Sequence, residues 1–404
     1  MRKIALGIFA ISIVTACVGN KEEPTVIENA DNSFEVHYPN LKTNDRTLDI
    51  AYRIAIGDLF TNIQDYESKM TGELVPVLIA GVDYNNPWIR DASINAWNAG
   101  SFIIPEVSKN TLFSVLKEDD NGLLRMTGQY WDAIIWSTGA WNHYLTTGDK
   151  EFLKIAFEVT KTSLDYYEKT GVYSFYVDEE GVCELQEAVG SAYAIMFGIA
   201  DTTQTESIFR NQYVSAAGVT CGWPELPRFK TDKDGMSFGR HNVTVWPQIQ
   251  GMWADAAAKN HKVDIFSHEL FTLANHAVRD MQFSEIYHPI TGERYGGMQA
   301  SGKEITLWES TRRQTWAATA YMRMIYSGVF GISLNEHGIG FSPCVPAKLN
   351  DIRLSGLKYQ NMLLNIRIRG NGTKIKTFRV NGLELEAPFI SKDNRGIQSI
   401  EIIL

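Results

Sequence analysis

Two glutamates stand in settings suited to proton transfer. Glu187 lies in Cys183-Glu184-Leu185-Gln186-Glu187-Ala188-Val189-Gly190-Ser191, at the entry to an apolar helical stretch. Glu285 lies in Phe283-Ser284-Glu285-Ile286-Tyr287-His288-Pro289-Ile290-Thr291-Gly292-Glu293, a loop broken by proline and glycine. A positioned carboxyl gives or takes a proton according to its surroundings, so two in different surroundings can divide acid and base work. Taken alone, Glu184 and Glu187 also read as first-turn acids that favour a helix dipole. Glu309 in Leu307-Trp308-Glu309-Ser310 rivals Glu285, and Glu225 in Gly222-Trp223-Pro224-Glu225 is a weaker rival to Glu187.

Other segments place aromatic rings beside groups that form two hydrogen bonds at once. Tyr84-Asn85-Asn86-Pro87-Trp88-Ile89-Arg90-Asp91-Ala92 sets Trp88 next to Arg90 and Asp91 at a helix start. An indole packs on the C–H face of a pyranose, while guanidinium and carboxylate hold vicinal hydroxyls. The plainer reading is a capping Asp91 with a surface Arg90. Gln129-Tyr130-Trp131-Asp132 again brackets aromatics with an amide and a carboxylate, although Trp131 also suits a core. Arg240-His241-Asn242-Val243-Thr244-Val245-Trp246-Pro247 mixes polar and aromatic groups before a helix, and Gln314-Thr315-Trp316-Ala317 opens another.

The elements that must carry these residues are mainly helical from about Leu48 to Val329. Apolar residues recur at three- and four-residue spacing in Leu48–Ala55, Ile134–Leu145, Phe152–Tyr167, Tyr193–Ile199, Ile249–Ala258, Ile265–Val278 and Thr315–Tyr326. Between them run irregular loops rich in glycine, proline and aromatics, which commonly carry function. About ten helices suit a ring of hairpins better than a four-helix bundle. Beyond Gly338 the pattern alternates, as in Leu363–Arg369 and Lys374–Val380, with Asn371-Gly372 and Asn381-Gly382 as hairpin signals.

The N-terminus reads as an export signal. Arg2 and Lys3 precede an apolar run, Ile4–Val14, too short to span a bilayer. Val14-Thr15-Ala16-Cys17 looks like the lipobox of bacterial lipoproteins, which implies acylation of Cys17, a tether over residues 17–33 and a place in the outer membrane, on its periplasmic or cell-surface face. Of four cysteines, Cys183, Cys221 and Cys344 remain, so at most one disulfide forms and the core must hold the fold. Acidic side chains outnumber basic ones, 47 to 38, and a leader carrying Arg2 and Lys3 deepens the imbalance once removed. With no basic run there is no electrostatic footprint for nucleic acid, and membrane contact is expected only through the anchor. The eight histidines are scattered, with His261, His268 and His276 read as helix-surface residues, and no zinc-ligand spacing occurs. Neither metal nor cofactor is expected.

Together the motif-bearing segments resemble the glucoamylase clan of six-hairpin glycosidases, which includes trehalases and processing α-glucosidases. Asn86–Ala92 resembles the clan's Trp-x-Arg-Asp-Ser/Ala segment, whose Arg-Asp pair grips the sugar in the −1 subsite, and Gln129–Asp132 is similar to Pro-Gln-x-Asp. Glu184–Val189 resembles Asp-Leu-Trp-Glu-Glu-Val, which puts the general acid at Glu187. His241–Pro247 resembles His-Asn-Gly-x-x-Trp-Pro. Glu285–Gly292 looks like Glu-Gln/Asn-Tyr/Phe-Asp-x-x-Thr-Gly, which puts the general base at Glu285, and Gln314–Ala318 matches Leu-Thr-Trp-Ser-x-Ala. The order of the segments, from Trp88 to Trp316, is more specific than any one of them. Gln186, Ala188 and Val243 replace an aromatic, a second acid and a glycine, so the substrate does not carry over.

The resemblance implies a mainly α fold, an (α/α)6 toroid of helical hairpins over residues 34–335, after a signal peptide at 1–16, with a small C-terminal antiparallel β-domain at 336–404. It implies an inverting glycoside hydrolase of α-linked oligosaccharides, whose carboxyls stand ~6.5–9.5 Å apart. The substrate-binding set is Trp88, Arg90, Asp91, Gln129, Trp131, Asp132, Arg240, His241, Trp246, Gln314 and Trp316. Glu184 is a candidate like-charge neighbour that keeps Glu187 protonated. Alternatives are rhamnosidase- or mannosidase-type specificity on the same fold, a non-catalytic glycan-binding surface lipoprotein, or a disaccharide phosphorylase in which phosphate replaces the base.

Overall fold

The structure, a computed structural model, describes residues 26–27, 36–68, 72–118, 122–126, 132–170, 177–178, 181–182 and 186–404. Cys17, Gln129, Trp131, Cys183 and Glu184 lie outside the described residues.

Among the described residues, ten helices alternate between two environments. The first, α1 (Arg46–Thr61), begins where Asp45 accepts hydrogen bonds from the amides of Thr47 and Leu48. It buries Leu48, Ala51, Tyr52, Ala55, Ile56 and Leu59, the single face that its periodicity predicts. Next, α2 (Ile89–Asn95) continues through a π-helical turn, Ala96–Gly100, to Ser101–Ile103, and Pro105 opens α3 (Pro105–Ser114). The others are α4 (Asp132–Thr147), α5 (Lys150–Thr170), α6 (Ala188–Met196), α7 (Thr202–Asn211), α8 (Pro247–Lys259), α9 (Val263–Asp280) and α10 (Thr315–Arg323). Helix α8 is buried from Pro247 to Ala258 and α10 along its whole length, whereas α1 and α9 each bury one face. A helix apolar on all sides belongs inside, and one with a stripe belongs on the rim.

The packing follows that division. Helix α2 packs on α4 and α10, and α8 on α6, α10 and α9. On the outside, α1 packs on α9 and α10, α5 on α4, and α7 reaches α8 through Phe209 against Trp253. Among the described residues the contacts thus run α4–α2–α10–α8–α6, with α1, α5, α7 and α9 packed outside them. Among them no helix is long and apolar enough to cross a membrane.

The C-terminal strands form two sheets. Labelling β1 (Asn40–Lys42), β2 (Ile332–Asn335), β3 (Gly338–Phe341), β4 (Asp351–Tyr359), β5 (Met362–Arg369), β6 (Thr377–Val380), β7 (Leu383–Glu384), β8 (Phe389–Ser391) and β9 (Gly396–Ile403), the larger sheet runs β7-β6-β9-β5-β4-β1 and the smaller β2-β3-β8. Three features differ from the sequence reading. The β5–β9 pair is parallel, so the sheet is mixed. Asn381-Gly382 makes the expected hairpin, with both residues at positive φ, but Asn371-Gly372 does not, because β9 lies between β5 and β6. The sheet also takes its edge strand β1 from ahead of the first helix. One hydrophobic core joins Leu48 and Tyr52 of α1 through Phe330 to Ile352, Leu364 and Ile402 of the sheet.

Candidate active site

The loops that precede the inner helices are joined edge to edge by backbone hydrogen bonds. The amide of Thr315 donates to Ala80 and that of Gln314 to Phe283, each at 2.8 Å. Glu285 donates to the Thr311 carbonyl at 2.9 Å, while Val245 and Tyr287 exchange a pair of bonds. Cys221 donates to Thr244, and Ala188 donates to Cys221. A short antiparallel bridge sets Glu187 opposite Gly222. This belt gathers the N-termini of α6, α8 and α10 with the 80–84 loop ahead of α2, and such termini present partial positive charge.

Glu285 sits in the belt, 3% exposed. Its Oε2 takes a 2.8 Å ion-paired hydrogen bond from Arg240 and a 3.3 Å bond from the Thr311 amide, and its Oε1 accepts from the Tyr84 hydroxyl at 3.1 Å. Arg240 is itself fixed. Its guanidinium donates to the Gly296 carbonyl at 2.8 Å and stands 5.2 Å from the Trp246 ring centroid and 5.9 Å from that of Trp308. The Trp246 indole N–H donates to the Arg240 carbonyl at 2.7 Å. Gly297, at φ +82°, packs so closely on Arg240 that a Cβ there would lie 2.4 Å from its Cα.

Asp91 lies buried beside this pair. Burial first, then the Glu285 charge, raise its pKa to about 8, so at neutral pH it is largely protonated. Its Oδ1 has no hydrogen-bond partner among the described residues. Arg90 sits 3.6 Å from Asp132, so the guanidinium faces a carboxylate across the α2–α4 contact. His241 stacks on Trp246, with centroids 4.8 Å apart, and burial followed by the Arg240 charge lowers its pKa to about 4, leaving the ring neutral. Trp246 meets Trp316 edge-on at 5.8 Å. Gln314 is buried and caps α10 by accepting from the Thr315 amide. Trp88 is the residue before α2 and is 51% exposed.

Glu187 has different surroundings. It is the N-cap of α6, where its carboxylate accepts from the amides of Val189 and Gly190. Burial raises its pKa, opposed by those two amides. It lines a cavity of ≈ 590 Å³ with Gln186, Ser191, Gln204 and Asn211, on the α6–α7 flank. A second cavity, ≈ 380 Å³, meets the Glu285 cluster at Thr311. The rival carboxyls are placed as follows: Glu309 is exposed and lines this second cavity, and Glu225 is ion-paired to Lys230 at 2.6 Å.

Sequence reasoning missed Tyr84 and Thr311. Tyr84 falls within a segment read for Trp88, Arg90 and Asp91, so its aromatic character was a usable signal. Thr311 acts through its amide, which no residue type reveals. His276 corrects another expectation. It is buried against Tyr287, centroids 4.6 Å apart, where a helix-surface position had been expected. Cys221 and Cys344 are free and buried. Among the described residues no three His, Cys, Asp or Glu side chains are grouped as metal ligands.

The sequence matches no protein-family model and no curated protein. Solved structures do match. One described as "Sialidase" aligns with a TM-score of 0.56 at 12% identity, over 88% of this chain and 41% of that one. A GH78 family rhamnosidase of Bacillus sp. GL1 aligns at 0.39 and 11% identity over 91% of this chain and 44% of its own, so this chain spans less than half of either protein. An unsaturated glucuronyl hydrolase from Streptococcus agalactiae aligns at 0.37 and 13% identity, over 75% of this chain and 98% of that one. The fold assignment rests on the first of these. The likeness is one of fold.

Proposed function

We propose that this chain is an inverting glycoside hydrolase of α-linked oligosaccharides, with Glu285 as general base and Glu187 as general acid. The observation that carries the reading is Glu285, a buried carboxylate held by Arg240, Tyr84 and the Thr311 amide where the inner helices begin. The Arg240 guanidinium and the Thr311 amide engage one oxygen of its carboxyl and the Tyr84 hydroxyl the other, the fixed orientation that a base activating water needs. Burial favours the protonated form of Glu187, as an acid requires. Protonated, Glu187 can leave its carbonyl oxygen on one amide and offer its O–H to a glycosidic oxygen.

Trp88, Arg90, Asp91, Asp132, His241, Trp246, Gln314 and Trp316 supply sugar contacts in this proposal, and Cys17 the lipid anchor.

One observation favours a second reading. Glu187 is engaged as a helix cap and lines a cavity of its own, which suits a glycan-binding protein without turnover. Incubating the purified protein with di- and oligosaccharides of glucose, mannose and rhamnose, and following the first anomer released by NMR, separates the two. Hydrolysis with inversion, independent of phosphate, is expected. Retention at the anomeric carbon or a requirement for phosphate would defeat the mechanism, and binding without turnover would favour the second reading.

A further inference from the structure

The ≈ 380 Å³ cavity beside Glu285 is lined by Asp83, Arg294, Glu309, Ser310, Thr311 and Arg312. The lining residues are two acids, two arginines, a serine and a threonine, and the Ser310 hydroxyl is already bonded to the backbone of Ile286. Arg312 lies 3.4 Å from Asp83, and its amide donates to the same carboxylate. The four charges sum to zero, so the cavity offers both donors and acceptors without a net charge. That suits a ligand rich in hydroxyls and carrying no charge, because vicinal hydroxyls bridge carboxylate and guanidinium oxygens and nitrogens in pairs.

Its walls are placed by the Glu285 cluster itself. Thr311 donates its amide to Glu285 and takes the Glu285 amide on its carbonyl. Glu309 gives its carbonyl to Arg240 at 3.4 Å. Just before Glu309 comes Trp308, 52% exposed, with part of its ring against the Arg240 guanidinium. Gly296 permits this arrangement, since a Cβ there would lie 1.8 Å from the Trp308 carbonyl oxygen. A short hairpin, Met298–Ser301 with Glu304–Leu307, leads the chain up to Trp308. An exposed indole next to a polar, charge-balanced cavity is the pairing that sugar recognition uses, one surface for the C–H face and one for the hydroxyls.

We infer that this cavity is an additional subsite that holds one neutral pyranose unit of an oligosaccharide, with Trp308 as its stacking platform. The inference rests on the proposed function, since the neighbouring unit is the one that reaches Glu285. It predicts that affinity grows with chain length until this subsite is filled.

The test uses the full chain carrying Glu285→Gln, which stops turnover in the proposed mechanism, titrated calorimetrically with neutral gluco-, manno- and rhamno-di-, tri- and tetrasaccharides. In the series that binds, affinity rises roughly tenfold on adding the unit that fills the cavity. Asp83→Ala/Arg312→Ala erases that increment while leaving disaccharide affinity unchanged, Trp308→Ala erases it too, and Trp308→Phe keeps part of it. The inference is overturned by affinity independent of length, by an increment that survives both replacements, by tighter binding of a uronate-containing oligosaccharide than of its neutral counterpart, or by no binding at all. The hydrolase reading fails separately. Wild-type turnover in Glu285→Gln removes Glu285 as the base, whereas the length dependence is measured by binding alone.

Discussion

The surroundings of Glu285 and Glu187 differ in what fixes each carboxyl. Around Glu285 the partners are side chains from distant parts of the sequence, Tyr84 and Arg240, with an amide from Thr311. Around Glu187 they are the amides of the next turn of its own helix. At Glu285 a guanidinium reaches the carboxyl from 45 residues away, while at Glu187 burial favours the protonated form against two local amides. One fold can thus give two identical side chains different surroundings, which a division of acid and base work requires.

The largest effect that would break this comparison is on turnover. Glu285→Gln and Glu187→Gln should each lower kcat by about 10²–10⁴-fold. They should differ in their dependence on the leaving group. An aryl glycoside with an acidic phenol departs without a proton, so Glu187→Gln should recover much of its rate on it, and Glu285→Gln none. Equal recovery, or none in either variant, would remove the division of roles.

Next in size is the ion pair. Arg240→Met leaves Glu285 buried beside only a hydroxyl and an amide, and breaking a buried pair in this way costs about 3–5 kcal/mol. Denaturant unfolding should show that loss, and Arg240→Met/Glu285→Gln should restore most of it. A single replacement as stable as wild type would show that the guanidinium is not what holds the carboxylate.

Much of this was legible in the sequence, for reasons specific to particular residues. The periodicity of Leu48–Ala55 and Ile249–Ala258 located α1 and α8, because burying one face or all faces leaves a direct record in residue type. Arg240 and Trp246 were singled out from a cluster of polar and aromatic residues, yet the pairing of Arg240 with Glu285 was not, since 45 residues of chain separate them. Alternation marked β5 and β6 as strands but could not say that β9 inserts between them, parallel to β5, because alternation reports which face is buried and not which strand is the neighbour. The Glu187 cap was visible as a first-turn acid, and that reading and the catalytic one require the same side chain.

A smaller effect concerns Asp91. Its folded pKa is raised from 3.8 to about 8, so between those values the folded state binds more protons than the unfolded one. Stability from this group therefore falls as pH rises through that window and is level outside it. Asp91→Asn never ionises. The melting temperature of wild type, measured against that of Asp91→Asn from pH 4 to pH 8, should fall by several degrees. Asp58, raised to about 7 by burial, contributes equally to both proteins and cancels in the difference. A constant difference would mean that Asp91 is ionised in the fold, and Arg90 rather than a proton would be its partner.

The smallest effect separates the two roles of Glu187. As an N-cap it accepts from two amides, and a glutamine carbonyl can still accept from one of them, so Glu187→Gln should lose only part of the cap. Glu187→Ala loses all of it, about 1 kcal/mol by comparison with other caps. Catalysis divides differently, because neither glutamine nor alanine supplies a proton, and both should fall by the same large factor. Stability graded across the two variants with activity lost equally in both is the signature of a cap that is also an acid. If activity instead declined in step with stability, the helix start would matter to the site and the carboxyl proton would not, and Glu187 would be left as a structural residue beside a site run by Glu285.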